Sequence, residues 1–361
     1  MKKLLMIILG IVMSLLSIVL LFIGYLSIKE YKPREVEAVT TTKGKNMLQQ
    51  QTDISLLTLN IGYGGLSSSE DFFMDGGKNV QPKSKQLVEK NLAGITTMLK
   101  EHPSDIYLLQ EVDLDSKRSY HINQKESLSN ALHMPSTFAY NFNVPYVPFP
   151  IPPIGKVKSG IVTMTNATMR EAKRIALPNP FSWPVRMANL KRALLETRFP
   201  ISGSDKELVV FNLHLDAYDN GQGKIEQSKL LKKVLEEEYD KGNYVIAGGD
   251  FNQVFEGTQS FPKTGQKGWE PGNISSTDIP DHFSFSYDDT HPSVRVLNHA
   301  FTGDYNSSQV YVIDGFIVSD NINIKQTTIY DYQFKYTDHH PVQMTFQLQE
   351  KRLTQKSPKK D

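Results

Sequence analysis

Apolar and polar positions divide this chain into distinct regimes. Leu4 to Leu26, LLMIILGIVMSLLSIVLLFIGYL, carries no charge, and about 20 apolar residues suffice to cross the hydrocarbon core as a helix. Residues 28 to 53 are polar and lack a period. Beyond them, short β-rich runs recur: SLLTLNIG (55–62), DIYLLQEV (105–112), SGIVTMT (159–165) and ALLETRF (193–199). The series continues with ELVVFNLHL (207–215), NYVIAGGD (243–250), VYVIDGFIVS (310–319) and PVQMTFQL (341–348). Each predicts a strand. Between them, Leu87, Leu92, Ile95 and Leu99 fall near helical spacing, as do Ile225, Leu230, Leu231, Val234 and Leu235. Several strands are unbroken apolar runs, which implies cover on both sheet faces. The pattern therefore predicts a layered α/β body whose strand ends carry the polar residues.

The first apolar tract reads as a retained membrane anchor. A cleaved leader also begins with lysines such as Lys2 and Lys3, but its apolar stretch is typically about 7 to 15 residues and ends at a small-x-small site. This tract is longer and has no such site. The expected organisation is an anchor over 1–27, a tether over 28–53, a folded body over 54–349 and a basic tail over 350–361. Lys29, Lys32 and Arg34 rival Lys2, Lys3 and the amino terminus in charge, so the orientation signal is slight. The expectation is a single-pass membrane protein with an extracytoplasmic body.

Two long stretches break the pattern. NFNVPYVPFPIPPIG, 141–155, alternates proline with aromatic and aliphatic residues, which predicts extended polyproline-like backbone in place of a helix or central strand. Residues 253–308 have few regular signals, and loops of that size are more often functional than accidental. From Arg170 to Lys206 there are eight basic and three acidic residues, either a solvated face or a phosphate-facing one.

Composition narrows the chemistry. At 361 residues, with 39% hydrophobic and 22% charged, the chain has the make-up of an ordinary globular protein. A formal charge of +1 gives no global case for polyanion binding. The absence of cysteine excludes disulfides, thiolate metal sites and thiol nucleophiles. Any metal must be held by oxygen or imidazole.

The strand ends supply such ligands. Asn60 ends SLLTLN, Gln110 and Glu111 end DIYLLQE, and His214 sits in VVFNLHL. Asp250 and Asn252 follow YVIAGG, Asp314 lies in YVIDGFIV, and Asp338 and His339 occur in YTDHHP. Hard oxygen donors, carboxamides and imidazoles suit an octahedral Mg²⁺ or Mn²⁺ completed by water and phosphate oxygens. In VIAGGDFNQ, Gly248 and Gly249 are expected to turn the backbone without crowding a phosphate. Asp250 and Asn252, two apart on an extended exit, are expected to point to one side.

The ordered set N…QE…H…GDFN…D…DHHP, from about Ser55 to Leu348, resembles the endonuclease/exonuclease/phosphatase superfamily with its deoxyribonuclease I-like fold. The resemblance implies a four-layer α/β sandwich of two facing mixed sheets flanked by helices, and a metal-dependent phosphoesterase. It implies Glu111 as principal metal ligand with Asn60 beside it, and Asp338 helping the metal or orienting its base. Asp250 matches the carboxylate that orients or deprotonates the attacking water, and Asn252 a donor to the scissile phosphate. His339 matches the histidine beside the phosphate, His214 the second histidine, and Asp314 the carboxylate that pairs with a catalytic imidazole. Which histidine is base and which is acid is left open.

The chain departs from the family pattern at Gly315, where an aromatic or histidine often follows the aspartate. No acidic partner for the second histidine is recognisable between Val112 and Glu207. Arg118 and Tyr120, in DSKRSYHI, are candidate substrate contacts. The histidines at 102, 121, 133, 282, 291 and 299 read as structural or surface, and His340 as support for the turn before Pro341. The functional expectation is hydrolysis of a phosphodiester, in nucleic acid or a phospholipid head group, by in-line attack of an activated water, with no obligate protein partner. The alternative is a membrane-anchored, catalytically inactive binding protein on the same fold.

Overall fold

A computed structural model describes residues 1–350 except 42–43, 219–220 and 266–267. The tail expected at 350–361 lies, beyond its first residue, outside the described residues. The chain opens with helix α1 (Lys2–Lys29), then strands β1 (Val36–Ala38) and β2 (Ile54–Asn60), helix α2 (Lys85–Glu101) and β3 (Ile106–Asp113). Helix α3 (Gln124–Leu132) precedes β4 (Ser136–Val147), β5 (Gly155–Thr165), β6 (Glu171–Ala176), β7 (Ala193–Pro200) and β8 (Glu207–His214). Helix α4 (Gln222–Asp240) leads to β9 (Tyr244–Asp250), β10 (Gln253–Phe255), β11 (Gly272–Ile274) and β12 (Phe283–Ser286). The chain continues through β13 (Val294–Arg295), β14 (Val310–Tyr311), β15 (Asp314–Ser319), β16 (Ile322–Ile329) and β17 (Val342–Leu348).

Two large mixed sheets face each other. One runs β1-β6-β7-β8-β9-β15-β12, the other β16-β17-β2-β3-β5-β4. In each, one parallel pair (β8 with β9, β2 with β3) sits among antiparallel neighbours. Period-two alternation sorts the side chains. Leu56, Leu108, Val210, Ile246, Phe316 and Met344 meet between the sheets. On the outer face of one sheet, Leu57, Leu59 and Leu109 pack under Leu92, Ile95, Met98 and Leu99 of α2 and Leu128 of α3. On the outer face of the other, Val209, Phe211 and Leu213 pack under Leu231 and Leu235 of α4. The result is the expected four-layer sandwich. Ser84 caps α2 by accepting the Leu87 N–H. Within the helices the apolar stripes are narrower than read: Ile225 stays exposed, and Val88 is buried where Leu87 is only half-buried.

Three local expectations change. The proline-aromatic segment is a strand as far as Val147, because β4 is a sheet edge and its register breaks between Val144 and Val147, around Pro145. An edge bulge is where a residue without an N–H is tolerated. The segment expected as a tether lies along the body: β1 pairs with β6, and Asn46 and Leu48 bridge to Ala167 and Ile201. Finally, the glycines of VIAGGD serve the sheets themselves. A Cβ on Gly248 would meet the Phe316 ring at 2.6 Å and Leu108 at 3.0 Å; on Gly249, at φ +147°, it would meet the Leu213 carbonyl oxygen at 2.0 Å. Gly249→Ala is therefore expected to destabilise the protein by about 3 kcal/mol, through strain and a backbone clash with no flexible neighbour to yield. A thermal melt checks this, and an unchanged midpoint refutes it.

Candidate active site

Strand ends from both sheets converge at one edge of the sandwich. Asn60 ends β2, His214 ends β8, Asp250 ends β9 and Asp314 begins β15. Because β9 pairs with β8 in parallel and β15 in antiparallel register, His214, Asp250 and Asp314 are direct neighbours across the sheet. Glu111 arrives differently. The β3–β5 register slips between Leu109 and Val112, and Glu111 adopts a left-handed backbone at φ +53°. Such a bulge re-aims a side chain, here over the cleft.

Asp250 is the hub. Its Oδ2 accepts a hydrogen bond from Asn60 Nδ2 at 3.0 Å and lies 3.3 Å from His214 Nε2 and 3.7 Å from His339 Nε2. Its Oδ1 accepts from the Asn252 backbone N–H at 2.9 Å. Asn252 is thus not on an extended exit: it turns to φ +51°, and its Nδ2 donates to the Leu215 carbonyl, leaving one amide hydrogen for a ligand. His339 Nδ1 donates to Asp314 Oδ2 at 2.8 Å, and Ser293 Oγ donates to the same oxygen at 2.8 Å. Asp314 stands behind His339, outside the cleft lining. A Cβ on Gly315 would press on Ser286 O and Phe255 at 3.0–3.1 Å, so packing accounts for that departure from the family pattern.

The electrostatics separate the two histidines. Burial disfavours charge on both, but at His339 the Asp314 and Asp250 carboxylates outweigh it and raise the pKa to about 10. At His214, burial and the Arg192 guanidinium push it well below the usual imidazole range. Asp250 is raised to about 6, first by burial and then by Asp314, with His339 opposing. The carboxylate facing His214 Nε2, at 3.3 Å, is that of Asp250, which lies downstream of the interval where a partner was sought, while Arg192 holds the His214 carbonyl at 3.0 Å and Asp216 at 2.9 Å.

A hard cation fits beside this hub. Asp338 is pushed up to about 7, first by burial, with the Glu111 carboxylate adding to it. Asn60 bridges the acids, donating to Glu111 Oε1 at 3.3 Å as well as to Asp250. A Cβ on Gly62 would sit 2.8 Å from Asp338 Oδ1, so glycine keeps that carboxylate's surroundings open. A buried carboxylate at Asp338, a half-buried one at Glu111 that repels it, and a carboxamide are the donor set of a divalent ion. Asp250, Asp314 and His339 also offer ligand atoms within 4.8 Å of one another. That second set already closes around its own proton, on His339 Nδ1, which favours the Glu111 side for a cation.

Of the two candidate substrate contacts, Arg118 lines the cleft and Tyr120 does not. The Arg118 guanidinium is gripped by Asp113 at 3.0 and 3.2 Å, lies 3.9 Å above the Tyr63 ring, and reaches within 3.9 Å of Glu111. Tyr120 donates its hydroxyl to the Pro82 carbonyl instead. Gln110 joins the sheets, donating to Asn212 Oδ1 at 2.9 Å. His340 is locked in the core, Nδ1 donating to Pro292 O and Nε2 accepting the Phe334 N–H. Sequence reasoning missed Ser293, Tyr63, Asp113 and Arg192, which no strand-end motif marks. Above the polar floor rises a cleft of about 650 Å³ whose upper walls are apolar.

The architecture has known counterparts. An endonuclease/exonuclease/phosphatase from Beutenbergia cavernae superposes with TM-score 0.56 at 17% identity, covering 83% of this chain and 72% of its own. A functionally unknown conserved protein from Enterococcus faecalis gives 0.54 at 15%, covering 82% and 100%. A Bacteroides vulgatus endonuclease/exonuclease/phosphatase gives 0.52 at 14%, covering 83% and 100%. At these identities the likeness is one of fold. No curated protein matches the chain. The family model described as Endonuclease/Exonuclease/phosphatase family matches residues 57–320, most of the chain. The chain therefore belongs to the endonuclease/exonuclease/phosphatase family, whose members are generally divalent-metal-dependent hydrolases of phosphoester bonds.

Proposed function

We propose that the protein hydrolyses phosphodiesters by in-line attack of water at the floor of this cleft. The observation that carries the reading is the convergence of Asn60, His214 and His339 on the Asp250 carboxylate, with Asp314 holding His339 from behind. Asp250 orients the attacking water and takes its proton. His339, kept protonated, presents a charged donor where negative charge accumulates on the phosphate. Asn252 adds the remaining amide hydrogen, and Arg118 a fixed cation. Glu111, Asn60 and Asp338 would hold Mg²⁺ or Mn²⁺, which when bound neutralises phosphate charge as a Lewis acid. His214, held neutral and with Nε2 3.3 Å from Asp250 Oδ2, is placed to donate its N–H to that carboxylate and keep it oriented.

The alternative, an inactive binding protein, requires none of this proton-handling geometry. Helix α1 is long and apolar enough to span a bilayer, with mean hydropathy 3.0 over its most apolar window and none of that window buried. This supports residues 1–27 as an anchor; in the reading proposed here it carries a catalytic body over 54–349 on the extracytoplasmic side. The test is turnover of bis(p-nitrophenyl) phosphate by the purified full chain. Chelation with EDTA should abolish turnover and Mg²⁺ or Mn²⁺ should restore it. Turnover that survives exhaustive chelation refutes the cation's role, and absence of turnover with every divalent ion supports the binding protein.

A further inference from the structure

We propose that the substrate is a phosphodiester lipid that reaches the polar floor directly from the bilayer, through a mouth that the anchor helix itself helps to build. This rests on the phosphodiester hydrolysis proposed above. The last turns of α1 are docked on the catalytic body. Phe22, Ile23 and Leu26, which share one helical face, line the cleft. The Phe22 ring meets Tyr146 edge-on at 6.0 Å, and Leu26 is buried. Just past the helix, the Glu30 carboxylate is only 4% exposed and is clamped by Arg186 and Lys191 at 3.2 Å each. The anchor is therefore a fixed wall of the site.

The level of that wall follows from length. A hydrocarbon core about 30 Å thick takes roughly 20 helical residues, so a span starting at Leu4 leaves the core near Ile23. Phe22 to Leu26 then lie where acyl chains give way to head groups, and so does the cleft mouth. Phe149 and Val185, which line the cleft, are 70% and 56% exposed, and Ile151 at 92% and Trp183 at 56% lie within two residues of them in the same two loops. In water such a rim is unfavourable, whereas at a membrane interface it is an anchor, with tryptophan at its preferred depth. Apolar walls above a floor of charged and polar side chains match an amphiphile with a phosphodiester at its polar end.

The competing substrate, nucleic acid, requires a track of available cations. The basic stretch from Arg170 to Lys206 does not supply one. Arg170 pairs with Glu207, Arg192 with Asp216, and Arg198 with Glu196, Glu207 and Glu238. Arg186 and Lys191 hold Glu30, Lys173 and Lys206 pair with Glu171 and Asp205, and Arg174 is buried against backbone carbonyls. These charges assemble the body and its anchor.

The test reconstitutes the full chain with Mg²⁺ into vesicles of phosphatidylcholine, phosphatidylglycerol or sphingomyelin. Release of the water-soluble head-group product is compared with turnover of bis(p-nitrophenyl) phosphate and of plasmid and single-stranded DNA. Release from at least one lipid, about tenfold or more above DNA at equal phosphodiester concentration, is expected, and the vesicle arms separate glycerol-based from sphingoid lipids. The Ile151→Ser/Trp183→Ser double variant should lower the lipid-to-soluble rate ratio by about tenfold, because insertion of the rim is a partition effect. Turnover of the soluble ester and DNA without lipid release overturns the lipid assignment and leaves the hydrolase intact. An unchanged ratio in the double variant overturns the role of the mouth. Inactivity on all substrates overturns the hydrolase reading itself.

Discussion

Asp250→Asn is expected to lower kcat on a soluble phosphodiester by about three orders of magnitude or more, the scale for loss of a base or aligning carboxylate. The substitution preserves shape: the side-chain oxygen still accepts the Asn252 N–H that now reaches Oδ1. It removes the charge that His214 and His339 face, and places an NH₂ against Asn60 Nδ2, which at present donates to this position. The water would lose its acceptor while the fold keeps its glycine-packed strand. Steady-state kinetics with a parallel melt decide the matter. Near-normal turnover with an unchanged midpoint would reduce GGDFN to a turn and move the chemistry elsewhere.

His339→Ala is expected to lower kcat by about two to four orders of magnitude, the range for a positioned acid-base or charge-stabilising group. His339 Nε2 faces the cleft while Nδ1 is fixed by Asp314, itself fixed by Ser293. Truncation leaves the Asp314 carboxylate, whose Oδ1 has no hydrogen-bond partner among the described residues, without its buried cation, so part of the loss in the alanine variant is structural. His339→Gln separates the effects by keeping an amide donor in place of the imidazolium. Equal losses in both variants, with near-native melting for His339→Gln, assign the effect to the charged imidazole. A loss of tenfold or less in both removes His339 from the chemistry.

Asp250 is legible in the sequence because it closes an apolar run, and a strand buried on both faces admits few polar residues. A carboxylate at the end of such a run stands out. His339 is marked by the polar cluster YTDHHP that immediately precedes the run of β17. Gly248 and Gly249 are equally conspicuous, but for a reason the chain alone does not contain. The Phe316 ring and the Leu213 carbonyl that exclude a Cβ come from neighbouring strands. Strands β4, β6 and β16, which the apolar pattern does not reveal, are edges or near-edges with mixed burial, where the alternation is diluted by solvent.

Local order along the chain therefore determined the apolar span, the succession of strands and helices, the layered class, and a ligand set limited to oxygen and imidazole by the absence of cysteine. These follow from short-range periodicity and composition, which need no partner to act. Tertiary structure alone decided which polar ends meet. Parallel and antiparallel registers make neighbours of His214, Asp250 and Asp314, and a bulge with a left-handed Glu111 turns that side chain towards the cleft. It also decided that Tyr120 faces Pro82, that most of the basic stretch pairs with acids of other segments, and that the N-terminal helix lines the cleft. The physical reason is range: a pairing between residues far apart in sequence depends on what every intervening segment packs against, and no window of the chain contains that information.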